Sequence, residues 1–453
     1  MRSPPYSHER RRVATGRFAG MAILLPFMTR GWAFQTSCIN ARAIGGARLL
    51  SSRQALTDRV PSPQQESHCP PEEEAGRERN EAEPRSFFEQ IGRPKYIAAP
   101  MVEQSEAAFR YLVRRHGCDL AFTQMLHAEK FAPDNAEKFR RRRFDGVDDE
   151  EDRPLIVQFC GNNPDTVVRA ARHVEHRCDA VDLNLGCPQK IAKKGNYGAY
   201  LLPNPQLCED IVAAMSRELS VPVTVKIRAQ DKESDTLDLA RRLEGAGAQL
   251  LTVHGRTVSS QKTKQGAANW DIIRKVKEVV DIPVVANGGI ETGADAERLL
   301  EETGADAVMS SEGLLENPAL FDSDLIPMEE LQGLEVAHRI LSFTAEYMEL
   351  VKRYPAPMIS IKGHLFKMLY RLLECHHDLR ARLGHYQCDA IEADVIVHEA
   401  SRTHTSAYSH LILCHRYFFD PDTRTPLDGA MDTSGLRVSP KQWYRRHRKD
   451  ESF

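Results

Sequence analysis

The sequence predicts an α/β protein built as a (β/α)8 TIM barrel followed by a smaller C-terminal helical domain. Three observations carry this: eight short apolar runs recur along the chain, helix-period segments fill most intervals between them, and no dinucleotide-type glycine fingerprint follows the first run. In order the runs are YIAAPM from Tyr96, LAFTQM from Leu120, LIVQFCG from Leu155, AVDLNLGC from Ala180, VPVTVKIR from Val221, QLLTVHG from Gln249, PVVANGG from Pro283 and AVMSSEG from Ala307. Between them, stretches such as NPDTVVRAARHVEHR and DTLDLARRLEGAGA repeat apolar residues at helical spacing. Spacings of about 20 to 40 residues suit βα units with right-handed crossovers. A doubly wound open sheet is the main rival, and eight consecutive units favour closure.

The barrel is expected over residues 87–325. From Met328, MEELQGLEVAHRILSFTAEYMELVKRYP and then SIKGHLFKMLYRLLE read as amphipathic helices, a second domain over 326–380. The tail 381–453 mixes cysteine and histidine at spacings that build no zinc module. Upstream, Arg10 to Thr57 holds eight arginines, no lysine and no acid around the apolar patch FAGMAILLPF. That bias suits an organellar transit peptide or a disordered extension over residues 1–60, so the protein is expected in the cytoplasm or, with a transit peptide, in mitochondria. The patch is too short to span a bilayer, and no membrane anchor is expected. Residues 61–86, rich in proline and charge, read as a linker. The net charge of -3 gives no global pull toward nucleic acid or anionic membrane, so a basic binding surface must be local. Ten cysteines without a CxxC pair argue against a zinc ribbon and suggest a reducing compartment.

In a closed barrel the C-terminal ends of the strands converge on one mouth. Those ends carry Met101, Gln124, Gln158, Asn184 with Cys187, Lys226 with Arg228, His254, Asn287 and Ser311. Interior polar groups are costly unless paired, so this many at one end indicate a site. The seventh and eighth runs continue as ANGGIETGADA and SSEGLLENP, small-residue turns that lead into helices and suit a phosphate cradle. Lys226 and His254 are placed to meet the polar edge or phosphate of a flavin mononucleotide, and Gln158 its ring. No residue set suggests a metal.

Together IAAPMVEQSEAAFRYLVRRHGCDLAFTQM, DLNLGCPQKIAKKGNYGAYLL, VKIR, LTVHGRT, VVANGGI and NPALF resemble the tRNA-dihydrouridine synthases. GCPQKIAKKGNYGAYL and SSEGLLENPALF are most similar to the eukaryotic type that modifies positions 16/17 of the D-loop. The resemblance runs from about Phe87 to Cys375. It implies an NAD(P)H-dependent flavin oxidoreductase that binds FMN, takes NADPH as reductant and reduces the 5,6 double bond of uridines in tRNA. It places Pro100, Met101, Val102, Gln158, Lys226 and His254 around the flavin, and Asn287, Gly288, Gly289, Ser311, Glu312 and Gly313 at its phosphate end. Cys187 is then the proton donor to uracil C5; an unperturbed thiol, with a pKa of about 8.5, is mostly protonated at neutral pH. Asn184 would orient the uracil, and Arg228 hold the base or a nearby phosphate.

After Cys187 a loop with Lys193, Lys194, Gly195, Tyr197 and Tyr200 is expected to move, meet phosphates and stack on an unpaired base. In the helical domain Lys352, Arg353, Lys362, His364, Lys367 and Arg371 are candidate phosphate partners, and the run Arg140 to Arg143 is a further basic patch. The tail departs from the family's helical bundle. The expected partner is tRNA, and the expected state is a monomer. Two other readings fit the same residues: a barrel flavoenzyme acting on a small dihydropyrimidine or enone, and a non-catalytic RNA-binding relative.

Overall fold

The structure is a computed structural model and describes residues 86–146, 150–259, 267–331 and 334–385. The arginine-rich segment 1–60, the linker up to residue 85 and the tail beyond 385 lie outside the described residues, as does the side chain of Arg371.

Eight strands form one closed parallel barrel: β1 Tyr96–Ala98, β2 Leu120–Phe122, β3 Leu155–Cys160, β4 Ala180–Leu185, β5 Val223–Arg228, β6 Leu250–His254, β7 Val284–Asn287 and β8 Ala307–Ser310. Each pairs with its sequence neighbour, and β8 returns to β1 with Met309 opposite Ile97. A two-residue strand, Leu126–His127, extends the second segment and pairs with Phe159 and Cys160.

Side chains alternate across each strand, and that period sorts the sequence. Val181, Leu183 and Leu185 of β4, Val225 and Ile227 of β5 and Val253 of β6 belong to the large core shared with the surrounding helices. The intervening positions face inward. At the floor they are Ile97, Leu120, Phe122, Ile156, Ala180, Leu250, Val285, Ala307 and Met309, a separate apolar cluster that also takes in Phe87 and Phe88. The short helix Phe87–Gln90 thus closes the barrel from below, its start fixed by a capping box between Ser86 and Glu89. Burying a side chain such as Phe87 or Phe88 contributes about 1.5–3 kcal/mol.

Above that floor the interior turns polar. Cross-strand register sets Gln158 beside Asp182, Asp182 beside Thr224, Asn184 beside Lys226, Arg228 beside His254 and His254 beside Asn287.

The C-terminal helices Leu334–Arg353, Met358–Met368, Tyr370–Cys375 and His377–Gly384 form the second region. The first packs along the barrel helix Ala107–Arg115, with the Tyr111 and Tyr354 rings stacked at 4.2 Å. Glu106 makes a buried polar anchor: the Tyr347 hydroxyl donates to its carboxylate at 2.7 Å and His364 Nε2 lies 3.1 Å from the other oxygen. His364 therefore does not serve as a phosphate partner. It is fully buried and stacks on Phe109 at 4.3 Å, because its helix turns that face onto the barrel. Lys352 pairs with Glu349, Arg353 covers the Tyr354 ring and Lys362 donates to the His385 carbonyl, so these cations are engaged within the protein. Among the described residues, no helix is long and apolar enough to cross a membrane.

Candidate active site at the barrel mouth

β4 ends at Leu185 and is followed by Gly186 and Cys187, and the chain turns there because Asn184 Oδ1 accepts from both of their backbone N–H groups, at 3.1 and 2.9 Å. Of the five cysteines whose side chains are described, Cys118, Cys160, Cys178 and Cys208 are buried, and Cys187 alone is half-exposed. Burial pushes the Cys160, Cys178 and Cys208 thiols up to about 12. Cys187 is also raised above the ordinary thiol value by burial, opposed by the Gln189 backbone and the Arg228 charge. It is a protonated, accessible thiol at neutral pH.

The segment after Cys187 is ordered as a helix, Lys190–Gly195, and a 3-10 turn, Gly198–Leu201, in place of the irregular loop expected from its glycines. Asn196 ends the helix in the left-handed conformation. Gly198 adopts φ +66°, and a Cβ there would come within 2.9 Å of the Cys187 carbonyl oxygen, so only glycine lets the turn pack on the thiol-bearing residue. Lys193 and Lys194 are exposed. Tyr197 is not: at 4% exposure it packs with Cys160 and Ala192 and meets the His127 ring edge-on at 5.0 Å. It packs against Cys187 from the Cys160–Ala192 cluster and does not present a face to a base, because the left-handed turn at Asn196 carries the chain out of the helix and back onto that cluster. Tyr200 donates to the Pro188 carbonyl at 2.9 Å.

Asn184 is mostly buried and doubly committed: besides holding the turn, its Nδ2 donates to Gln158 Oε1 at 2.9 Å. Gln158 Nε2 in turn donates to Asp182 at 2.8 Å, and the Thr224 hydroxyl donates to the other Asp182 oxygen at 2.7 Å. Asp182, fully buried, is pushed up to about 6 by burial against these hydrogen bonds. It was not among the expected site residues, although a carboxylate alternating with Val181 and Leu183 in VDLNL marks an inward-facing charge.

Across the mouth, Lys226 Nζ donates to Asn287 Oδ1 at 2.7 Å, and Asn287 Nδ2 donates to the Met309 carbonyl at 2.8 Å. Burial and the Arg228 charge push Lys226 down to about 7, with Asp182 opposing. Arg228 donates to the carbonyls of Gly186 and Thr257, at 3.1 and 3.3 Å, and is held down to about 10 by burial and by Arg256. Arg256, also missed, is buried beside His254, its Nη1 3.3 Å from His254 Nε2, with the Glu291 and Glu312 charges acting on it. Its position directly after the strand-end glycine of VHGRT was the available signal.

Gly288 and Gly289 stand at φ +110° and +81°; a Cβ on Gly288 would lie 2.7 Å from the His254 ring and one on Gly313 2.8 Å from the Ile290 carbonyl oxygen. Backbone and imidazole thus form one bare wall, with Trp270 Nε1 donating to the Gly288 carbonyl at 3.0 Å. Ser311 stands at the start of the helix Glu312–Glu316 and makes no capping hydrogen bond with its side chain. Pro100 and Met101 lie just past β1, where the Met101 N–H donates to Ser105 at 2.8 Å, and Val102 is 49% exposed at the rim. Gln124 bridges the Glu103 N–H and the Arg143 carbonyl. Arg140 is spent on the carbonyls of Phe131 and Pro133 and Arg143 on Glu103, whereas Arg141 and Arg142 are exposed. Among the described residues no group of three or more His, Cys, Asp or Glu could hold a metal.

Fold and mouth define a parallel (β/α)8-barrel protein whose site combines an accessible protonated thiol, a lysine with a depressed pKa and a glycine-built wall on the seventh and eighth strands. The chain belongs to the dihydrouridine synthase (Dus) family, whose profile it matches over residues 97–398. It is 44% identical over 294 residues to a tRNA-dihydrouridine(16/17) synthase [NAD(P)(+)]-like protein of Mus musculus, covering 65% of this chain and 59% of that one. It is 43% identical over 306 residues to the tRNA-dihydrouridine(16/17) synthase [NAD(P)(+)] of Saccharomyces cerevisiae, covering 66% and 71%. With the Schizosaccharomyces pombe protein of the same name the identity is 42% over 307 residues, covering 66% and 75%. The chain spans about three fifths of the length of the mouse relative.

Proposed function

We propose that this protein is an FMN-dependent tRNA-dihydrouridine synthase that uses NADPH to reduce the 5,6 double bond of D-loop uridines at positions 16/17. The observation that carries the reading is the Cys187 thiol, half-exposed at the mouth and held protonated, in a chain of the Dus family. The residues present fit FMN: Lys226 and His254 offer polar contacts in the layer above the apolar floor, and Gly288, Gly289 and Gly313 bring backbone without side chains of its own to the ends of the seventh and eighth strands, where a phosphate would be held. When bound, FMN supplies the hydride that adds to uracil C6.

The chain's own residues do the rest. Cys187 Sγ gives its proton to C5, on the face opposite the hydride, as a general acid. Asn184 holds the turn that carries the thiol, Arg228 braces the same turn through the Gly186 carbonyl, and Arg228 faces a bound base from β5. A uridine must leave its stack to enter the mouth, at a cost of a few kcal/mol. Lys193 and Lys194, on the helix beside that entry, meet the flanking phosphates.

The test is dihydrouridine mapping by mass spectrometry, in unmodified tRNA incubated with the full chain, FMN and NADPH, and in tRNA from cells lacking the protein. Dihydrouridine at 16/17 in the first and its loss in the second are expected. Turnover of free uracil or dihydroorotate with none on tRNA would overturn the reading in favour of a small-molecule oxidoreductase.

A further inference from the structure

Asp182 lies one layer below the mouth and reaches neither solvent nor the surface where a base would sit. It nevertheless begins a continuous hydrogen-bonded line that ends on the thiol-bearing residue. Gln158 donates to Asp182, Asn184 donates to Gln158, and the N–H groups of Gly186 and Cys187 donate to Asn184, every link between 2.8 and 3.1 Å. A carboxylate can only accept and a backbone N–H can only donate. Two side-chain amides strung between such ends have one orientation that satisfies every link.

We infer that Asp182 is a positioning residue for Cys187: its acceptor-only carboxylate fixes which way round Gln158 and Asn184 stand, and through them seats the Gly186–Cys187 turn. Remove the acceptor, and Gln158 is free to turn its NH2 toward Asn184. Asn184 then has to offer its own NH2 to two N–H groups, and the turn loses its hold. Thr224, donating to the second oxygen, keeps the carboxylate in place. No charge transfer along the line is involved; the effect is steric and directional. The inference rests on the reading of Cys187 as proton donor.

Three variants of the full chain test it. Asp182→Leu removes the acceptor. Gln158→Met breaks the line at its next link and serves if the first variant folds poorly. Asp182→Asn can still accept from Gln158 with its oxygen while its NH2 donates to the Thr224 hydroxyl, so it should restore most of what leucine loses. Two readouts are taken: kcat and KM for tRNA, and the rate of Cys187 alkylation by iodoacetamide in FMN-free protein, with buried Cys208 as the folding control. In Asp182→Leu and Gln158→Met, kcat should fall about tenfold or more with KM nearly unchanged, as misplacement of a reacting group predicts. Cys187 alkylation should change by about threefold or more while Cys208 stays protected. Folded leucine and methionine variants with parental Cys187 alkylation would overturn the inference, as would an asparagine variant as impaired as the leucine one. A parent that makes no dihydrouridine counts against the function proposed above, and the alkylation readout then decides this inference alone.

Discussion

Arg228 Nε donates to the carbonyl oxygen of Gly186 at 3.1 Å, one residue ahead of Cys187, so the guanidinium braces the thiol-bearing turn and brings a positive charge to the thiol, whose shift is dominated by burial. Arg228 is the positive charge that opposes the effect of burial on Cys187. In Arg228→Met the pH at which Cys187 becomes half-alkylatable should therefore move further up from its already raised position. Iodoacetamide rates between pH 7 and 10, resolved by peptide mass spectrometry, check this; a midpoint that falls would contradict the assignment.

A thiol that works as an acid loses its role when it ionises. Dihydrouridine formation should thus hold at neutral pH and decline only as pH rises through the raised Cys187 value. Cys187→Ala should lower turnover by about 10²- to 10⁴-fold, the usual worth of a positioned general acid, while tRNA binding stays close to parental. Single-turnover assays with mass detection separate the two. Unchanged turnover removes Cys187 from the mechanism.

Asp182 makes a prediction about stability. Its folded pKa of about 6 lies above the ordinary carboxyl value, so the folded state binds the extra proton, and the stability this contributes is present at low pH and lost as pH rises through about 6. Asp182→Asn lacks that loss. Relative to the parent, the variant should gain stability between about pH 4 and pH 6, by at most about 3 kcal/mol. Urea unfolding across that window tests the sign.

The buried Glu106 anchor predicts that His364→Leu acts on folding and leaves RNA electrostatics alone. The change leaves Glu106 with the Tyr347 hydroxyl as its remaining side-chain partner and should cost about 1–3 kcal/mol in a urea midpoint series. The slope of tRNA affinity against salt should not change.

Lys193→Ala with Lys194→Ala should do the reverse. Both are exposed, so stability should stay within about 0.5 kcal/mol of the parent, while the salt slope of tRNA binding becomes shallower by about 1 to 2. A slope equal to the parent's would place the phosphates elsewhere.

The barrel could be read in the sequence because its signals are local: a period of two in VDLNL and VTVKIR, a helical period between runs, and glycine turns after strands seven and eight. The strand ends so located carry Gln158, Asn184, Lys226, His254 and Asn287, which the closure of a barrel brings to one mouth. What the chain order could not disclose was how these side chains spend their hydrogen-bonding capacity. Asn184 and Gln158 looked available for a ligand and turn out to hold each other and the Cys187 turn, while Asp182 enters the site only through Gln158 and Thr224 on the neighbouring strands. His364 and Tyr197 have the composition of surface contacts, yet docking of the helical region onto Glu106, and of the Lys190–Gly195 helix onto Cys160, turns them inward. Periodicity is a property of one segment, so sequence alone determined the barrel, its mouth and the thiol at its rim. Pairing and burial depend on residues brought together from distant segments, and the tertiary structure alone decided which polar groups remain to meet a substrate.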